Sequence, residues 1–206
     1  VAAAGAVPRA PAPLKLPPRI TSSTIRNTGI HALEVYVPRH CVLASTLEEA
    51  HNCRGKYTKG LMMHSYAACD EDEDAISMAL TAIHRLVEAS GVQWADIGML
   101  HVGSESLVDR SKSIKSHLMS LFENNVDVEG VDSYHACYGG TAALLACTNW
   151  VASEAWDGRW AIAVASDVAD STRQYRFYHG AAAVAMLVGP DAPLALEGAR
   201  ATHIVN

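Results

Sequence analysis

The chain has 206 residues, half of them apolar, a net charge of −6, ten histidines and five cysteines. That length suits one globular domain or half of a larger two-part fold. The mild acidity, with no basic stripe, leaves no footprint for nucleic acid, and no apolar run reaches the roughly 18 residues of a membrane span.

Residues 1–28 are rich in Ala, Pro and Ser/Thr and carry Arg9, Lys15, Arg19 and Arg26, with no acidic residue before Glu34. Proline density forbids a packed helix through residues 8–18. The segment reads either as a Pro/Ala-rich basic arm or as the remnant of an organellar targeting segment, which would make the protein mitochondrial rather than cytoplasmic. The first residue is Val, so the sequence is expected to be processed or incomplete.

From residue 29 strand and helix patterns alternate. "IHALEVYVP" is a strand stopped by Pro38, and "STLEEAHN" a short helix with Ser45 or Thr46 as cap. "DEDEDAISMALTAIHRLVEASG" is the clearest helix, with acids Asp70–Asp74 crowding its start, a face of Ile76, Leu80, Ile83 and Val87, and Gly91 as the stop. "IGMLHVGSES" is a strand entering a loop, "SKSIKSHLMSLFEN" a helix, "EGVDSYHA" a strand and "GGTAALLACTNWVASEAW" a helix. "RWAIAVASD" and "AAVAMLVGP" are apolar strands of the fully buried kind. This order predicts a layered α/β fold.

Two stretches carry chemistry. In "DSYHACYGGTAALL" Cys137 stands at the start of a helix that is apolar on most sides and so expected between two layers. A helix N-terminus favours a thiolate and an oxyanion, and Gly139 and Gly140 would let a thioester approach closely. Cys137 is therefore either a nucleophile or a packed core cysteine, and the two glycines favour the first. In "HVGSESLVDRSKS" Glu105 follows a buried strand on a Gly/Ser loop, where α/β folds place chemistry, and in a partly apolar pocket it could shuttle a proton. The bland reading is a helix start capped by Asp109 or Ser111. The scattered cysteines (Cys41, Cys53, Cys69, Cys137, Cys147) lack a CxxC pair and read as reduced thiols, and the histidines show no metal-ligand spacing.

Five blocks, "GIHALEVYVPRHCV", "GKYTKGL", "HVGSESLVDRSKSIKSHLMSLFE", "GVDSYHACYGGTAALL" and "NWVASEAWDGRWAIAVASD", resemble in order and spacing the eukaryotic-type hydroxymethylglutaryl-CoA (HMG-CoA) synthase family from about residue 29 onward. The resemblance implies an α/β thiolase-like fold, layered αβαβα, of which residues 29–206 correspond to the N-terminal half. It implies that Cys137 accepts the acetyl group of acetyl-CoA. Glu105 then takes a proton from the acetyl methyl, and the enolate attacks acetoacetyl-CoA before water releases the product. Asp109, Tyr138, Thr141 and Asp167 match motif residues that support the site. No metal or redox cofactor is implied; the two CoA thioesters are substrates.

Departures accompany the match. The family histidine that polarises the acetoacetyl ketone lies in the C-terminal half. His135 stands where the family has asparagine, Met62-Met63 where it has Gly-Gln, and "RFYHG" (residues 176–180) where it has "RPTGG". "ASDVADSTRQY" has drifted from the family's pattern, and the end at "ATHIVN" reads as a truncation within the fold. One expectation is thus the N-terminal part of an HMG-CoA synthase. The other is an impaired synthase-like subunit of a larger assembly. A thiolase or ketoacyl synthase fits less well, because the "GSES" glutamate and the "WDGRWAIAVASD" block point to the synthase branch. Either main reading requires a protein partner over the open apolar face: the C-terminal half, a homodimer mate or a larger complex.

Overall fold

Strands that alternate apolar residues to two faces need helices on both, and the computed structural model shows that arrangement for the residues it describes, 27–169 and 177–198. The arm through residue 26, the 170–176 stretch and the ATHIVN end lie outside the described residues. β1 (Gly29–Tyr36) is followed by the short strand β2 (His40–Leu43), helix α1 (Ala44–His51), a π-helical turn over Lys56–Gly60 and β3 (Ser65–Ala68). Then come α2 (Ala75–Ser90), β4 (Ile97–Gly103), α3 (Ile114–Leu118), β5 (Asp132–Ser133), α4 (Gly139–Val151), β6 (Trp160–Ala169), β7 (Gly180–Gly189) and β8 (Leu194–Ala195). Six strands form one mixed sheet in the order β5-β4-β6-β7-β1-β8; β5, β4 and β6 run parallel, whereas β7, β1 and β8 pair antiparallel. β2 and β3 make a separate antiparallel pair that the sequence reading did not anticipate.

Leu100, Val102, Ile162, Val164, Ala183, Ala185 and Leu187 point to the face covered by α2 and α3. Met99, Ala161, Ala163 and Met186 point to the other, under α4. Asp74 caps α2 by accepting from Ser77 N, Ser77 answers with its hydroxyl, and Gly91 ends the helix at φ 71. Only Asp74 of the acidic run caps the helix; Asp70–Glu73 precede it. The buried face is Ala75, Met78, Ala79, Ala82, Ile83, Leu86 and Val87, so the predicted Ile76 and Leu80 sit at its margin. Full burial of Met78, Ile83 and Leu86 contributes about 1.5–3 kcal/mol each.

Several elements are shorter or capped differently than their patterns suggest. α1 starts one residue before the expected caps, with Leu43 at its N-cap and no side-chain cap, and Ser45 and Thr46 lie inside it; Glu48 turns inward. The helix of "SKSIKSHLMSLFEN" is one α turn followed by a 3-10 turn over Met119–Phe122, capped by Ser113 rather than Asp109 or Ser111. α4 buries Ala143, Cys147, Trp150 and Val151, while Thr141 and Asn149 are exposed; the burial expected on most of its girth is met on the sheet side. Beside it, Leu33 and Val35 of β1 are 51% and 45% exposed. Among the described residues no helix is long and apolar enough to cross a membrane.

Candidate functional site

The C-terminal ends of β4, β5 and β6 meet the start of α4. Gly103 closes β4 in register with Ser133 on one side and Ala165 on the other. A Cβ on Gly103 would lie 2.1 Å from the Gly139 carbonyl carbon and oxygen, and one on Gly140 would lie 2.7 Å from Ala165 Cβ. The two glycines thus serve the close approach of the helix start to the strand ends. This packing is a reason for the two glycines besides the approach of a thioester that the sequence suggests.

Cys137 is exposed in a 3-10 turn, Ala136–Tyr138, directly ahead of α4. The His135 carbonyl accepts from Tyr138 N at 2.9 Å and from Gly139 N at 2.8 Å, and Ala136 holds a left-handed φ of 28°. A non-glycine residue in that region is strained by roughly 1–3 kcal/mol and persists only where its surroundings enforce it. Tyr138 stacks its ring edge-on against His135, centroids 5.4 Å apart, and Thr141 is exposed on the first turn of α4. Cys147, ten residues on, faces the sheet; burial pushes its thiol up to about 12, so it is the packed cysteine of this helix.

Glu105 is exposed on the loop leaving β4. Its loop is held by Asp167 at the end of β6. One oxygen, Oδ1, accepts from Glu105 N at 2.7 Å, Ser104 Oγ at 3.0 Å, and Ser106 N and Oγ at 3.1 Å. Ser106 Oγ also accepts from Val168 N at 2.8 Å. The apolar enclosure expected around Glu105 is not supplied by the described residues. Asp109 turns the chain further on, accepting from Ser111 N and Lys112 N, bonds that hold its carboxyl below the usual range.

The Cys137 turn and the Glu105 loop touch through backbone. Ser104 N donates to the Ser133 carbonyl at 3.2 Å. A Cβ on Gly139 would lie 2.8 Å from that oxygen and 3.1 Å from Ser104 N. Cys137, Tyr138, Thr141, Glu105 and Asp167 therefore converge on one end of the sheet, the end where open α/β sheets bind ligands. Asp109 stands apart from that cluster in the turn before α3.

A cavity of about 340 Å³ opens beside the end of β6, lined by Tyr66, Cys69, Val168, Ala169 and His179 among others. The bulky residues at 177–179 do not all enter it. Phe177 stacks on Tyr57 at 5.3 Å, Tyr178 is 70% exposed, and His179 meets Tyr66 edge-on at 5.9 Å. Met62 holds a left-handed φ of 51° and is 87% exposed.

Away from that cluster, a buried acid whose sequence context gave little signal anchors a separate loop. Glu48, 5% exposed, accepts from Gly55 N, Tyr57 N and Thr58 N, each at 2.7 Å, and from Thr58 Oγ1 at 3.0 Å, fixing the "KYT" segment. Burial pushes its carboxyl up, but those bonds outweigh it and take it down to about 2. Among the described residues no group of three or more His, Cys, Asp or Glu could hold a metal ion.

Residues 24–193 match the family described as "Hydroxymethylglutaryl-coenzyme A synthase N terminal". The mitochondrial hydroxymethylglutaryl-CoA synthase of Sus scrofa is 48% identical over 186 residues, covering 88% of this chain and 37% of that protein. The hydroxymethylglutaryl-CoA synthase of Mycosarcoma maydis is 46% identical over 189 residues, 90% of this chain and 41% of that protein. Among solved structures, MvaS in complex with 3-hydroxy-3-methylglutaryl coenzyme A superposes with a TM-score of 0.75 at 39% identity, over 79% of this chain and 40% of that one. The curacin-pathway HMG synthase in complex with holo donor-ACP gives 0.71 at 28% identity, over 80% and 41%. The chain thus spans well under half the length of the relatives it matches.

Proposed function

The chain belongs to the hydroxymethylglutaryl-CoA synthase family and has the N-terminal half of its thiolase-like fold, and from that premise we propose that it supplies the acyl-accepting thiol and the proton-abstracting carboxylate of HMG-CoA formation. Cys137 Sγ attacks the acetyl carbonyl of acetyl-CoA, the carbon–sulfur bond to CoA breaks, and the departing CoA thiolate takes a proton. Glu105 removes a proton from the methyl of the acetyl-cysteine. The enolate carbon bonds to the ketone carbon of acetoacetyl-CoA, and the resulting alkoxide takes up a proton. Water then hydrolyses the cysteine thioester. Asp167 keeps the Glu105 loop in place, and Tyr138 and Thr141 flank the thiol; the sequence of steps uses no metal or redox group.

The observation that carries this reading is the backbone contact of Ser104 with Ser133 and Gly139, which joins the Glu105 loop to the Cys137 turn. The histidine acting on the acetoacetyl ketone belongs to the family's C-terminal half. That half, on the same polypeptide or on a partner, would cover the apolar face of Leu33 and Val35. The test is Glu105→Ala in the full-length protein. Acetyl-cysteine should still form, while exchange of the acetyl methyl protons with solvent and condensation should fall by at least about 10²-fold. Condensation left intact would remove Glu105 from the mechanism.

A second reading, a synthase-like subunit without turnover, is favoured by His179 lining the cavity beside β6, where the family has a small residue. An intact assembly that never acetylates Cys137 would establish it.

A further inference from the structure

His101 lies within β4 and faces α4, paired with Ala163 and near Met99 and Cys147, apolar company for an imidazole. It is 8% exposed. Its Nε2 lies 2.9 Å from Ser133 Oγ, and its Nδ1 is buried with no hydrogen-bond partner among the described residues. A buried N–H without an acceptor is costly, so the single proton of the neutral ring belongs on Nε2, which donates to Ser133 Oγ. Burial lowers the ring's pKa and keeps it neutral; Asp132 opposes that shift and Lys115 adds to it.

Ser133 is the residue through which both halves of the site pass. Its carbonyl accepts from Ser104 N, directly before Glu105, and abuts Gly139. The chain then runs through Tyr134 and His135 to the left-handed Ala136 and Cys137. A bond that fixes the Ser133 side chain therefore fixes the pivot between the glutamate loop and the cysteine turn. Asp132, the preceding residue, accepts from Ile114 N and Lys115 N, so β5 is anchored from the α3 side as well.

We propose that His101 is a positioning residue for the nucleophile: through Ser133 it holds the strained Cys137 turn in register with the Glu105 loop. The inference rests on the reading of Cys137 and Glu105 given above, but its test does not pass through CoA chemistry. In the full-length protein, alkylation of Cys137 by iodoacetamide is followed by peptide mass spectrometry relative to the exposed Cys41, in the wild type and in H101L, H101Q and S133A. H101L and S133A should each lower the Cys137-to-Cys41 ratio by about five- to tenfold, the scale of one buried hydrogen bond. H101Q, whose amide N–H can reach the same hydroxyl, should restore it to within about twofold. An unchanged or raised ratio in H101L and S133A would overturn the proposal. So would a loss in H101Q equal to that in H101L, since ring volume alone would then explain the effect. If H101L does not fold, S133A alone decides between these outcomes. Acetyl transfer that fails while the alkylation pattern holds would count against the enzymatic reading and leave the positioning role standing.

Discussion

Asp167 and Glu48 do the same work at two places: each carboxylate gathers backbone N–H groups that would otherwise leave a loop unanchored. For Asp167 the loop carries Glu105; for Glu48 it is the 55–58 segment. Glu48 makes a pH prediction with a definite sign. Its folded value, about 2, lies below its ordinary value of 4.5, so its contribution is fully present above 4.5 and is lost as pH falls toward 2. The stability gap between wild type and Glu48→Gln, read from urea midpoints, should be widest near neutral pH and narrow steadily below 4.5. A gap independent of pH would show that the carboxylate charge is not what holds the segment. The sequence presents Glu48 and Glu49 as equivalent acids of a short helix. Which of them turns inward depends on where residues 55–58 fold back, and no local pattern records that. Cys137 and Glu105 stand out in the sequence because family blocks surround them, and the structure sets them at one end of the sheet. His101 and Ser133 do not stand out, because their bond joins positions 32 apart in the chain.

At the scale of elements the sheet end is assembled by small residues more than by large ones. Gly140 sits against Ala165, so Gly140→Ala should force α4 away from β6 and destabilise the protein by about 1–3 kcal/mol. Adding Ala165→Gly should recover a large part of that loss, measured by thermal melting of the double variant. Additive losses would mean that the two positions do not share the space. The double glycine was visible in the sequence, but its use was not, since the same "GG" serves a ligand's approach or a strand's equally well. The hydrophobic period located α2 correctly and half of its face, Ile83 and Val87; it missed the centre because the alanines at 75, 79 and 82 carry little weight in such a pattern and yet are buried. "EGVDSYHA" reads as a strand and pairs at only two residues, because the chain leaves the sheet at Tyr134 to form the turn before Cys137. The β2–β3 pair escaped notice because "HCVL" and "SYAA" are too short to show alternation.

For the molecule as a whole, the strand–helix order and the five sequence blocks made the α/β thiolase-like half legible, and the relatives bear that out. What the order could not tell is that the sheet is mixed, with β7, β1 and β8 antiparallel beyond the parallel core. β1 therefore offers Leu33 and Val35 on the side of α4, beyond the strands that the helix covers. Apolar side chains exposed beside a half-covered helix are what a second half of the fold would bury, and the proposed reaction needs that half for its histidine. The central claim is that this chain brings the acetyl-accepting thiol. The most direct measurement adds labelled acetyl-CoA to the intact protein in its native assembly and maps the label by peptide mass spectrometry. The account predicts label on Cys137 and none on the buried Cys147. Intact, assembled protein that carries no label on Cys137 would contradict it.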